Sequence, residues 1–331
     1  MSPMKRLAIA AFAPLLFTVA APAQTPQPSH GEWFTVAPLR NGARTEPGVA
    51  ALNGKVYVLG GSTKEKDDLS TAEVYDPATD AWSAIAPMPV GVNHNSAVAM
   101  HGRLYVIGGF SGRPPGSTGP RVHQGAEEHL QEYDPSTDRW RKLAPMKAPR
   151  GSVGVAALNG KLHAIGGRGP DLRTVTTHEV YDPTTDQWTE IAPAPTARDH
   201  MTVIAVNGRI HVIGGRTNDR DDNVNLHEIY DQQTNPWSQG PPAPSARSGG
   251  QFALVGDLIV TYGGETSKKT FEENEAFDLK AGRWIILPPG PKGLHASAGA
   301  TIGDRIYYPG GSTGPGGDAI TDQMLVFRLQ R

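Results

Sequence analysis

Two features recur six times along this chain, and they recur together. Glycine pairs follow short apolar runs at residues 60, 108, 166, 214, 263 and 310, at spacings of 48, 58, 48, 49 and 47. Tryptophans at 33, 82, 140, 188, 237 and 284 step by 49, 58, 48, 49 and 47. The one long interval falls at the same place in both series, so pair and tryptophan belong to a single repeating unit. A fixed period of this length confines the chain to repeat architectures before any other property is weighed.

Each unit reads as four strands. In "GVAALNGKVYVLGG" (48–61) two apolar runs flank Asn53-Gly54, residues that tolerate the positive φ of a tight hairpin. The turn returns as Asn-Gly at 159 and 207, His-Gly at 101, and Gly-Asp at 256 and 303. A variable loop leads to a third strand, which ends at Asp76-Pro77 in the first unit because Pro fixes φ and stops pairing. A fourth strand, led by the tryptophan, completes the meander. A lone meander cannot bury both its faces, but six around an axis can. The expected fold is therefore all-β, a six-bladed β-propeller of four-stranded antiparallel blades, with each Tyr of Tyr-Asp-Pro and each Trp wedged between sheets. The sixth unit ends in "MLVFRLQR" (324–331) with no Trp strand, while "HGEWFTVAPL" (30–39) has no unit before it. Residues 30–39 are thus expected to supply the outer strand of the last blade and close the ring, leaving no unpaired edge.

The first residues, "MSPMKRLAIAAFAPLLFTVAAPAQ", have the layout of a secretory signal peptide over 1–23, cleaved before Gln24. That leaves the propeller in 24–331, in the periplasm or secreted, with no further apolar stretch long enough to span a membrane. Losing Lys5 and Arg6 moves the net charge from −2 to −4. The 31 basic and 33 acidic side chains nearly balance and form no basic run, which argues against nucleic acid as a partner. With no cysteine, thiolate metal sites and cysteine nucleophiles are excluded. G-x-S-x-G, H-E-x-x-H and phosphate-loop motifs are absent as well. No cofactor is expected, and the protein is expected to be a monomer.

Meander geometry places the loop leading into each blade beside the loop after each glycine pair, on one mouth of the propeller. Aligned at the hairpins, the leading positions are Glu46, His94, Ser152, His200, Ser248 and His295. The residues after the pairs are Ser62, Phe110, Arg168, Arg216, Glu265 and Ser312. Arg168 and Arg216 hold equivalent positions on neighbouring blades, a geometry suited to clamping a carboxylate, with Glu265 next in line. Histidines at 94, 200 and 295 alternate on blades two, four and six, yet a propeller mouth is expected to hold them too far apart for one metal ion. Asp199 and His200 are neighbours on a strand, so they are expected to face opposite ways. Asp219, Asp221, Asn223 and Asn225 alternate like a calcium loop, but Val224 and Tyr230 stand where Gly and Glu are needed, and a polar loop is expected instead. The insertion at 110–129 rises from the same mouth.

"EVYDPATDAW" (73–82), "EVYDPTTDQW" (179–188) and "QEYDPSTDRW" (131–140), with the glycine pairs and "APM" tails, resemble the Kelch-repeat family. The pattern weakens in "EAFDLKAGRW" (275–284) and in blade six, where "LVFRL" remains. The resemblance spans about residues 31–330; it specifies fold far better than function. It implies that the two mouth positions of each blade contact ligand, a protein segment or an acidic carbohydrate. Galactose oxidase shares the motif but needs a cysteine that this chain lacks. Sialate mutarotase-epimerases resemble the chain in length, export and blade count, and that resemblance implies an alternative: acid/base catalysis on a sugar by Glu265 or a mouth histidine beside Arg216.

Overall fold

The Asn53-Gly54 turn takes the left-handed geometry a two-residue hairpin needs, with φ of 52° and 73°. It joins Gly48–Leu52 to Lys55–Leu59, and Ala72–Asp76 and Ala81–Ile85 complete blade one. The structure, a computed structural model, describes residues 31–65, 68–112, 125–234 and 237–330. The expected signal peptide at 1–23 and most of the 110–129 insertion lie outside these residues. The described residues form six four-stranded sheets, all paired antiparallel. In the last of them Gly31–Val36 pairs with Met324–Leu329, in a register that sets Trp33 opposite Phe327. The ring is closed by the N-terminal strand as expected.

First strands line the axis, and the cores lie between blades. Tyr57 and Leu59 of blade one meet Leu104, Val106 and Tyr133 of blade two, all buried. An equivalent apolar cluster fills each of the other five interfaces. Burying each such Val or Leu is worth about 1.5–3 kcal/mol, so the stability of a blade depends on its neighbours.

Two rings of hydrogen bonds explain the repeated residues. The second glycine of each pair donates its N–H to the next blade: Gly61 to Val92, Gly109 to Arg150, Gly167 to Arg198, Gly215 to Arg247, Gly264 to Leu294 and Gly311 to Arg44. Only glycine fits here, because φ at Gly61 is 96° and a Cβ would lie 2.8 Å from the Thr45 carbonyl oxygen. In the opposite sense each tryptophan donates its indole N–H to the preceding blade. Trp82 reaches the Ala37 carbonyl at 3.0 Å, Trp140 Ala86, Trp188 Ala144, Trp237 Ala192, Trp284 Pro241 and Trp33 Pro288. The second Asp of the signature, Asp80, accepts from the Tyr75 hydroxyl at 2.7 Å and from the Ala37 N–H at 2.9 Å. Trp82→Phe keeps the wedge and deletes one donor. It is expected to lower stability by about 0.5–1.5 kcal/mol, read as an earlier urea midpoint.

Candidate functional site at the propeller mouth

Short antiparallel bridges decide which residues reach the axis. Thr45 bridges Ser62, Asn93 Phe110, Gly151 Arg168, Asp199 Arg216, Ser248 Glu265 and His295 Ser312. The residue after the first member of each pair turns left-handed in every blade: Glu46, His94, Ser152, His200, Gly249 and Ala296, with φ between 51° and 64°. Their backbones are stitched round the axis. His94 N–H donates to the Glu46 carbonyl at 3.0 Å, Ser152 to His94 at 2.9 Å, Gly249 to His200 at 2.9 Å, Ala296 to Gly249 at 2.9 Å and Glu46 to Ala296 at 2.7 Å. Side chains held in this uncommon conformation by such hydrogen bonds are candidates for function.

Glu46, His94, Ser152 and His200 occupy this inner ring as expected. Ser248 and His295 do not: Gly249 and Ala296 hold the equivalent places, and the two expected residues sit one position earlier, in the bridges. In every blade the inner residue precedes the hairpin by seven positions, and the expected alignment slipped to eight in blades five and six. His295 is 2% exposed, and its Nε2 donates to the Gly314 carbonyl at 2.8 Å. Burial pushes its pKa down against the opposing pull of Glu265.

The residues after the glycine pairs lie beneath the rim, because each is bridged on both sides. Phe110 is buried, edge-on to the His94 ring at 5.5 Å, so it packs rather than projects. Arg168 and Arg216 do converge, but inward onto Asp199, which is 0% exposed. Arg216 Nε lies 2.9 Å from Asp199 Oδ1, and its Nη1 lies 3.1 Å from Glu265 Oε1. Burial, and then the neighbouring Arg216, lower the pKa of Arg168 to about 10. The arginine pair is therefore neutralised by carboxylates and does not form an outward clamp. Asp199 also accepts from His200 Nδ1 at 2.7 Å. Strand alternation had set these two neighbours apart, but the left-handed turn at His200 swings its ring back onto Asp199.

A central cavity of about 520 Å³ opens below this ring. Glu46, His94, Ser152 and His200 line it, and small residues such as Ala97, Gly154, Ala156, Ala253 and Ala298 form much of its wall. The 219–225 loop is bound into blade five: Asp221 accepts from Ser267 Oγ at 2.6 Å, and Asn223 donates to the Glu265 carbonyl at 2.7 Å. It behaves as the polar loop expected.

Sequence reasoning set Asp199 aside and missed Asn93 and a set of buried ion pairs beneath the mouth. Arg44–Glu73, Arg150–Glu179, Arg198–Glu228 and Arg247–Glu275 close at 2.7 to 2.9 Å, all nearly inaccessible to water. A signal was present. Each Arg stands two residues before the inner-ring position and each Glu two before the third-strand aromatic. Where the Arg is missing, as at Val92 and Leu294, so is the Glu, replaced by Gln131 and Leu325.

Models of the Kelch motif match residues 43–89, 93–147, 149–195 and 197–244. The chain is similar to Kelch-like protein 35 of Mus musculus, 30% identical over 43% of this chain and 22% of that protein. Kelch repeat and BTB domain-containing protein 12 of Danio rerio is 32% identical over 37% of this chain and 20% of its own length. Kelch repeat and BTB domain-containing protein 1 of camelpox virus is 31% identical over 46% and 25%. The matched region thus spans about a fifth to a quarter of these relatives. The solved structure of YjhT superposes with a TM-score of 0.71 at 19% identity, over 88% of this chain and 95% of that one, a likeness of fold. With its repeats matched over four consecutive blades and all six blades built alike, the chain belongs to the Kelch-repeat β-propeller family.

Proposed function

We propose that this is an exported binding propeller that grips a protein segment or a saccharide at its mouth. The observation that carries this reading is the inner ring: Glu46, His94, Ser152 and His200, from four consecutive blades, meet over a cavity of ligand size whose walls are otherwise largely small and apolar. A polar group of the ligand enters the cavity and meets these four side chains. Arg168 and Arg216 support the site through Asp199 and Glu265, so a carboxylate on the ligand is not required.

A second reading, a sugar mutarotase or epimerase, is favoured by one feature: two groups able to carry protons, Glu46 and His94, lie 3.3 Å apart beside the cavity. One panel serves both. Thermal-shift screening of residues 24–331 against saccharides and peptides is expected to find a ligand that raises stability by ~2.7 kcal/mol at a hundredfold excess over its Kd. Ser152→Trp, which fills the mouth, is expected to abolish that shift while the fold melts normally. A ligand still bound by Ser152→Trp places the site elsewhere. Exchange between anomers of a bound sugar, read by NMR, separates turnover from binding.

A further inference from the structure

We propose that Glu46, His94 and His200 form a zinc-type divalent metal site on the propeller axis. Ligand atoms of the three residues all lie within 4.8 Å of one another. The expectation that the mouth histidines stand too far apart was drawn for three, of which His295 belongs to the Gly314 and Glu265 cluster. It fails for the other two, whose rings meet edge to face at 5.2 Å.

The hydrogen bonds fix which nitrogens face the centre. Asn93 Nδ2 donates to Asp68 and to the Phe110 carbonyl, so Asn93 Oδ1 is the acceptor for His94 Nδ1. Asp199 Oδ1 accepts from His200 Nδ1. Both Nδ1 atoms therefore carry protons, and each ring turns its Nε2 towards the same carboxylate oxygen. His94 Nε2 lies 3.3 Å from Glu46 Oε1, and His200 Nε2 lies 3.9 Å from it. One divalent ion placed between them can take all three as ligands.

The surroundings are those of a built metal centre. An oxygen acceptor behind each imidazole sets its tautomer and raises its basicity, the usual outer shell of a histidine ligand. Two imidazoles and one carboxylate are the donor set of open zinc sites, with a fourth position left for water or substrate. That position faces the cavity, near Ser152 Oγ, which lies 3.4 Å from His200 Nε2. Arg216 approaches the face of the His200 ring. Its Nη2 is 3.1 Å from Nδ1 and 3.2 Å from Nε2 of His200, and a point equidistant from both can lie only over the ring face. Ligands on one tetrahedral zinc stand about 3.4 Å apart, so side-chain rotations of about 1 Å close the site. The inner ring of backbone hydrogen bonds keeps the three Cα positions fixed meanwhile.

The test uses the full chain, treated with a chelator and dialysed, then titrated with zinc chloride by calorimetry and with cobalt chloride by visible absorption. One equivalent of zinc is expected to bind, and cobalt is expected to give the intense bands of a tetrahedral site. His94→Ala and His200→Ala are each expected to weaken zinc binding at least a hundredfold. Glu46→Gln, which preserves shape, is expected to weaken it at least tenfold and covers the case in which a histidine variant fails to fold. His101→Ala, on the hairpin face, is expected to change nothing. Zinc binding that survives Glu46→Gln and both histidine variants unweakened overturns the proposal, as does the absence of stoichiometric binding to the unsubstituted chain.

Discussion

Taking the protein from pH 7 to about pH 5 is expected to remove most of its stability. Four histidines are buried in two pairs, His163 with His178 in blade three and His211 with His227 in blade four. His227 Nδ1 donates to the Pro241 carbonyl at 3.3 Å, so its Nε2 accepts from His211 Nδ1 at 2.8 Å, and the pair is complete while both rings are neutral. Burial holds His163, His211 and His227 down at a pKa of about 4 and His178 at about 3, against an ordinary value of 6.5. The unfolded chain takes up these protons near 6.5, whereas the folded chain resists them until about 4. Between those values the unfolded state binds more protons, so stability falls as pH falls. Each group contributes up to ~1.4 kcal/mol per pH unit, and the four together ~5 kcal/mol per unit. A domain's whole stability is about 5–15 kcal/mol. Denaturation midpoints measured at pH 7, 6 and 5 are expected to drop steeply, and replacing His211 and His227 together with Gln is expected to halve the slope. Midpoints that stay level from pH 7 to 5 would show that these histidines are charged in the fold.

Arg198→Ala is expected to cost about 3–5 kcal/mol, more than any surface substitution in the molecule. Arg198 and Glu228 are each 1% exposed, and they pair at 2.8 Å. The guanidinium also donates to the Gly214 and Val212 carbonyls at 3.1 and 3.2 Å. Removing it strands a buried carboxylate, which among the described residues also accepts from the Thr196 hydroxyl at 2.7 Å. Arg198→Met combined with Glu228→Leu removes both charges and is expected to recover much of the loss, since an apolar pair replaces the ionic one without a stranded group. Urea unfolding of the single and double variants decides the matter. A double variant no more stable than Arg198→Ala would show that the carbonyl contacts, not the charge pair, carry the energy.

The architecture was legible because its causes are local and repeated. Positive-φ glycines and indole donors must recur wherever blade meets blade, so six copies announced six blades, and the orphan strand at Trp33 announced the seam. The site was less legible because it forms where the repeats differ. Ser248 and His295 drew notice as polar side chains, while the geometrically equivalent Gly249 and Ala296 offer no chemistry to notice. Asp199 was set aside on strand alternation, a rule that fails at a left-handed residue. Convergence of Glu46, His94 and His200 from three blades depends on the width of the channel, which no spacing along the chain encodes.

The seam also sets a schedule. Trp33 pairs with Phe327, so the last blade stays incomplete until strands from the two ends of the described residues meet. That contact is the most distant in sequence and meets the largest loop-closure cost, whereas the hairpins of the intervening blades are local and form first. Through that interval an open arc of blades carries two sticky sheet edges, each the other's only proper partner. A weakened seam thus leaves the molecule at its most aggregation-prone, and strand exchange with a second copy becomes the natural error.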